Sequence, residues 1–213
     1  GGVRFAKSEF FFVFDNEVDN CARKSYSGTH ALVATYTTDL LPRETDAATG
    51  EADYRGIIAR NNVHDNFNEI FSWVGTKTFV HAKIDEGKGI TVQRCNPKRG
   101  WTTGRIGMSN NVAHHNGLSG VHVNDSERVD LVHNTCYANY QTKVMFPDIG
   151  GNNHGISVNQ AEDIRIFNNL VIASAEPGFG DGLSVSSSST NCVIDHNLII
   201  GEFNSTAAEV ATN

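Results

Sequence analysis

The chain has 213 residues, 39% hydrophobic and 19% charged, a balance that allows one domain with a real core and excludes a disordered chain. No apolar run approaches the ~20 residues of a membrane helix, so no membrane partner is expected. A net charge of −7, from 17 Lys+Arg and 24 Asp+Glu, argues against a nucleic-acid partner, which needs a basic face, yet leaves room for an anionic sugar met by a local cationic cluster.

One pattern repeats along the chain. Gly2 opens GVRFAKSEFFFVFDNEVDN, and a looser copy from Gly28 reaches Asn61 after an insertion. Another loose copy runs from Gly89 to Asn110. Gly120 opens GVHVNDSERVDLVHNTCYAN and Gly155 opens GISVNQAEDIRIFNNLVIAS, which superimpose without a gap. Gly182 opens GLSVSSSSTNCVIDHNLIIG, with one extra residue. A small residue recurs six places after each glycine, at Ser8, Ala34, Cys95, Ser126, Ala161 and Ser188. An asparagine recurs near the second bend, at Asn16, Asn61, Asn110, Asn134, Asn169 and Asn197.

Such a pattern predicts coils of short strands with tight corners. Alternation of period two sends Val121 and Val123, or Ile156 and Val158, to one side. Glycine and the small residue mark bends or close approaches, and asparagine suits a corner where stacked amides bond along an axis. A period of about 20 residues or more with β-branched interiors fits a parallel β-solenoid, and the L-x-x-L-x-L-x-x-N spacing of a leucine-rich repeat is absent. The expectation is an all-β, right-handed parallel β-helix of about six coils with loop insertions, a single domain over 1–213. Neither end reads as a cap, and no charged-then-apolar leader opens the chain. A fragment, a short form or a homo-oligomer joined through open solenoid ends is therefore expected. Cys21, Cys95, Cys136 and Cys192 lack paired metal spacing and read as small buried hydrophobes.

The segments YRGIIARNNVHDN, DEGKGITV, NNVAHHNGLSGVHV and LVHNTCYANY carry a resemblance. With the coils around them, they resemble the parallel β-helix repeats of the pectate-lyase-like superfamily, which holds polysaccharide lyases, mannuronan epimerases and some glycoside hydrolases. The resemblance covers nearly the whole chain and is a packing signature, specific for fold more than for reaction. It implies an acidic, uronate-containing polysaccharide as partner and a secreted or periplasmic location. The clustered aspartates with a nearby Lys or Arg that mark the calcium-dependent lyases are not clearly matched.

Insertions at about 35–55, 67–86, 96–103 and 141–153 interrupt the middle coils, where a solenoid usually builds its binding face. The second carries Phe71 and Trp73, whose rings can stack on a sugar or pack down on the rod. Residues two places after each glycine, Arg4, His30, Thr91, His122, Ser157 and Ser184, are expected to face solvent. So are those four places after it, Ala6, Leu32, Gln93, Asn124, Asn159 and Ser186. Thr91, Gln93, Asn124, Ser157, Asn159 and Trp73 are thus the expected sugar contacts, with Arg94, Asp125 and Gln160 just beyond. A lyase or epimerase must neutralise a uronate carboxylate and remove its C5 proton. Arg94 or Lys88 suits the first task, and His122 or Lys88 the second. Asp85 and Asp125 are the carboxylates available for calcium.

The alternative for each of these residues is an ordinary solvated strand face, and for the whole chain a non-catalytic sugar-binding or self-associating module. His64-Asp65 and His114-His115 suggest a metal, but neighbours on a strand are expected to point apart and no third ligand is evident. A glycosidase needs two carboxylates across a cleft; Asp125 and Asp148 are available without a spacing rule to place them.

Overall fold

A computed structural model describes residues 2–21, 23, 30–39, 54–67, 87–101, 103–141, 154–173, 182–201, 203–205 and 210–212. The chain is a right-handed parallel β-helix. It winds through three sheets in turn, each strand pairing in parallel with its counterpart one coil away. Sheet one holds Val3–Ala6, Leu32–Thr35, Ile90–Gln93, Val121–Asn124, Ile156–Asn159, Leu183–Val185 and Phe203–Ser205. Sheet two holds Phe11–Phe14, Tyr54–Ala59, Arg105–Ser109, Glu127–Val132, Glu162–Phe167, Thr190–Asp195 and Val210–Thr212. Sheet three holds Glu17–Asp19, Asn62–His64, Val112–His114, Thr135–Tyr137, Leu170–Ile172 and Leu198–Ile200. We number the coils one to six from the N-terminal side; sheets one and two carry a further strand beyond coil six.

The interior consists of stacked columns of like residues. Leu32, Ile90, Val121, Ile156 and Leu183 share one register line of sheet one and are fully buried. Ile58, Met108, Leu131, Ile166 and Ile194 form the matching line of sheet two. Val63, Ala113, Cys136 and Val171 form that of sheet three. Each large aliphatic chain contributes roughly 1.5–3 kcal/mol by leaving water, and identical neighbours above and below let the columns close without voids. Cys95, Cys136 and Cys192 are buried here as small hydrophobes, while Cys21 is half-buried; all four are free thiols. At one position a large side chain replaces the column: the Phe11 ring fills the space beside Gly56, where an added Cβ would lie 2.2 Å from the ring.

The corners are built from left-handed residues and amide ladders. Asp15, Arg60, Asn110, His133, Asn168 and His196 take φ of 52–57° between sheets two and three. The next residue is asparagine in every coil: Asn16, Asn61, Asn111, Asn134, Asn169 and Asn197. Each of the first five donates its Nδ2 to the Oδ1 of the next at 2.8–3.1 Å, and its backbone N–H goes to the same oxygen. In coil three the ladder member is therefore Asn111, and Asn110 is the bend before it. A second ladder stands at the corner after sheet three, where Asn66 donates to Asn116 and Asn116 to Asn139, both at 3.0 Å.

Register also corrects the second copy. Leu32 pairs with Val3 and with Ile90, so Ala31 occupies the glycine position, not Gly28. His30 then precedes the strand, Leu32 faces the core, and Val33 and Thr35 take the outward places expected of them. The small residue of that coil is Thr37, with Ala34 inside. In coil six, Ser189 Oγ accepts the Ala161 N–H at 3.3 Å, one place later than expected because of the extra residue. Among the described residues no helix is long and apolar enough to cross a membrane.

Candidate functional site

Along the chain, the strands of sheet one have insertions both before and after them. The segments 36–53 and 94–104 follow its strands, and 20–31, 65–89, 138–155 and 173–182 precede them. Between sheets two and three the chain turns within two residues in every coil. The described parts of the insertions that follow the strands, 36–39, 94–101 and 103–104, border one edge of sheet one, whose outer face is the floor of the candidate site. At that edge Asp39 accepts hydrogen bonds from the backbone of Thr103 and Gly104, joining the loops of coils two and three beside the fully buried Trp101.

Two columns of this floor carry the chemistry. His30, Lys88, Ser119 and His154 stack just before the strands, their backbones linked by Ala31 N–H to Lys88 O, Gly89 N–H to Ser119 O and Gly120 N–H to His154 O. Val33, Thr91, His122, Ser157 and Ser184 stack within the strands. The expectation that this second column faces open solvent holds at Arg4 in coil one and fails in coils three to five, where Thr91 is fully buried, Ser157 is buried and His122 is half-buried. Thr91 Oγ1 makes no hydrogen bond among the described residues.

The two columns meet at His122. Its Nδ1 lies 2.7 Å from Ser157 Oγ, and Ser157 donates to Ser119 Oγ at 2.8 Å. Ser157 has one proton and gives it to Ser119, so the proton in the His122–Ser157 bond comes from Nδ1. Nε2 is left as the basic nitrogen. Burial first, then the Lys88 cation and His154, hold the His122 imidazole well below its ordinary pKa, so it is neutral at pH 7. Burial, Lys88 and His122 push His30 the same way, against a hydrogen bond that the ring gives to Gln93. Lys88 lies near enough for its charge to act on both the His30 and the His122 rings. Ser119 and His154 join them without having been singled out.

The other expected residues lie further along the floor. Asn159 Nδ2 donates to Asn124 Oδ1 at 3.0 Å, a polar strip continuing to Ser188, which reaches Asn159 at 3.3 Å. Arg94 is exposed at the corner, its guanidinium against the Tyr36 hydroxyl and 5.4 Å above that ring, with Arg99 5.1 Å from the same ring. Asp125 holds the same corner in the next coil. Its Oδ1 accepts Asn96 Nδ2 at 2.8 Å, above a groove of about 240 Å³ lined by Asn96, Lys98, Glu127 and Glu162. Burial raises the Glu127 carboxyl despite Arg128 beside it. Trp73 and Asp85, with Phe71 and Asp148, lie outside the described residues. Calcium takes six or more oxygens. Among the described residues no group of three or more His, Cys, Asp or Glu is placed to hold a metal ion.

The site is thus a neutral imidazole beside a lysine cation, flanked by amides and hydroxyls and edged by two arginines. It can neutralise an anion, hydrogen-bond hydroxyls and accept a proton at one nitrogen. No protein-family model, curated protein or solved structure matches the chain, so its function has to be argued from its own site.

Proposed function

We propose that the chain acts on a uronate-containing polysaccharide by removing the proton at C5, as a lyase or epimerase does. The observation that carries this reading is His122, neutral at pH 7 with Nδ1 committed to Ser157, beside the Lys88 cation on the outer face of sheet one. A sugar carboxylate beside Lys88 loses part of its charge repulsion toward the carbanion that forms when C5–H breaks. His122 Nε2 accepts that proton. Gln93, Asn124 and Asn159 offer hydrogen bonds to neighbouring hydroxyls, and Arg94 offers a second cation about one strand length away. A polar strip that runs from coil to coil along sheet one suits a long chain ligand, and a ligand of that kind favours a secreted or periplasmic compartment.

Incubation with alginate, pectate and glycosaminoglycans, with and without calcium, tests the reading through the ultraviolet absorbance of the unsaturated uronate and through C5 inversion by NMR. Product formation that drops by about two orders of magnitude or more in His122→Ala and in Lys88→Ala is the expected result, the usual cost of losing a positioned acid–base group. Because His122 stays neutral below its ordinary pKa, the acid limb of the rate profile is expected below pH 6.5. Sugar binding without either product, unchanged by His122→Ala, overturns catalysis and leaves a binding module.

A further inference from the structure

On the opposite side of the rod, sheet three carries a column of rings that the site does not use. His64, His114 and Tyr137 are register neighbours in coils two, three and four. His64 stacks on His114 with centroids 4.8 Å apart and planes at 6°, and His114 stacks on Tyr137 at 4.7 Å and 7°. The central imidazole is thereby fixed in plane between two flat neighbours. His115, next in sequence, does not point away as a strand neighbour would. It sits at the corner with φ of 50°, and this bend returns its ring to the same side. Its plane stands at 86° to that of His114, and the two Nδ1 atoms are 2.8 Å apart.

We infer that the convergent Nδ1 atoms of His114 and His115 form a two-nitrogen site for a divalent transition ion, Ni²⁺ or Cu²⁺, completed by water. With metal–nitrogen bonds of about 2.0–2.1 Å, a nitrogen separation of 2.8 Å subtends roughly a right angle. That is the angle between adjacent ligands of a square or octahedral ion, and it is well short of the tetrahedral angle zinc prefers. The surroundings favour a cation. Asp19 is the register neighbour of His64, whose nitrogens lie 2.7 Å from Asp65 and 3.1 Å from Glu17. Both rings are half-buried, which leaves the remaining coordination positions to solvent. Binding needs no net proton release from the neutral pair: the Nδ1 proton now shared between the rings moves to the Nε2 of the ring that carries it.

Calorimetric titration of the full chain with Ni²⁺, which its free thiols do not reduce, tests the site, followed by electron paramagnetic resonance of a Cu²⁺-loaded sample. One ion per chain with hyperfine coupling to two imidazole nitrogens is expected. His114→Phe keeps the ring stack, and His115→Asn suits the left-handed corner, so both variants retain the fold, and circular dichroism checks that they do. Each is expected to lose about ten-fold or more in affinity and to show one nitrogen where two coupled before. His196→Asn, at an exposed corner in coil six, is expected to change nothing. Equal affinity in all three variants, or no ion bound to the parent chain, overturns the assignment and leaves the pair as a hydrogen bond between two neutral rings.

Discussion

His30 and His122 spend a proton-binding site to stand beside Lys88. Both are held well below the ordinary histidine pKa, burial being the first cause and the lysine the second. The linkage has a definite sign. Below pH 6.5 the unfolded chain protonates these histidines more readily than the folded one, so stability is full above that pH and declines as pH falls. His64 acts in the other direction, raised chiefly by its hydrogen bond to Asp65, but its contribution fades only as pH rises past 6.5. The windows do not overlap. Urea midpoints measured at falling pH below 6.5 are expected to decline for the parent chain and to decline less for a His30→Gln/His122→Gln double variant. Equal slopes would show that the two imidazoles are not buried as described.

At the scale of a corner, one atom decides more than the residue beside it. Asn111 Oδ1 accepts both the backbone N–H and the Nδ2 of Asn61, at 3.0 Å each, while Asn111 Nδ2 serves Asn134 and Ile58 O. Asn111→Ala leaves the buried Asn61 backbone N–H without its acceptor and takes one bond each from Asn61 Nδ2, Asn134 Oδ1 and Ile58 O, and is expected to cost about 2–3 kcal/mol. Asn110→Ala removes only the comfort of asparagine at φ of 54° and is expected to cost about 1 kcal/mol. Chemical denaturation of the two variants distinguishes them directly. Sequence alone put the ladder at Asn110, because two adjacent asparagines fit the repeat equally well at a loose insertion. Only the parallel pairing of Ile58 with Met108 and of Met108 with Leu131 fixes which one stacks.

Across the whole molecule, every strand pairs with one in the next coil and none with its immediate chain neighbour. Val3 meets Leu32, and Leu32 meets Ile90 across an even longer connection. Loop closure must be met in full before any such contact forms, so refolding is expected on the slow side, milliseconds to seconds or longer, once denaturant is diluted in a stopped-flow experiment. A sub-millisecond phase that recovers the full native signal would contradict a fold built from such distant pairs. The same arrangement explains the site. Lys88, His122 and Ser157 are 35 residues or less from their neighbours in the trio along the chain, yet they are adjacent because one coil advances by a single strand spacing.

The repeat by itself determined the architecture, since a glycine, alternating apolar residues and an asparagine at fixed offsets leave few ways to bury the apolar face other than stacking on the next copy. It also brought forward His122, Lys88 and the amide strip of Gln93, Asn124 and Asn159, because residues at equal offsets must share a column. Tertiary structure decided what the offsets could not. It moved coil two by three residues, from Gly28 to Ala31, where the insertion had erased the count. It gathered Ser119 and His154 around His122 from positions just before the strands, outside the alternation, and moved His30 from the strand column to that same place. It turned His115 back onto His114 through a left-handed corner that strand geometry does not anticipate. It also set the burial of Thr91, Ser157 and His122. Periodicity says which way a side chain points, but solvent exclusion and the proton affinity that follows from it depend on everything packed around the chain in three dimensions.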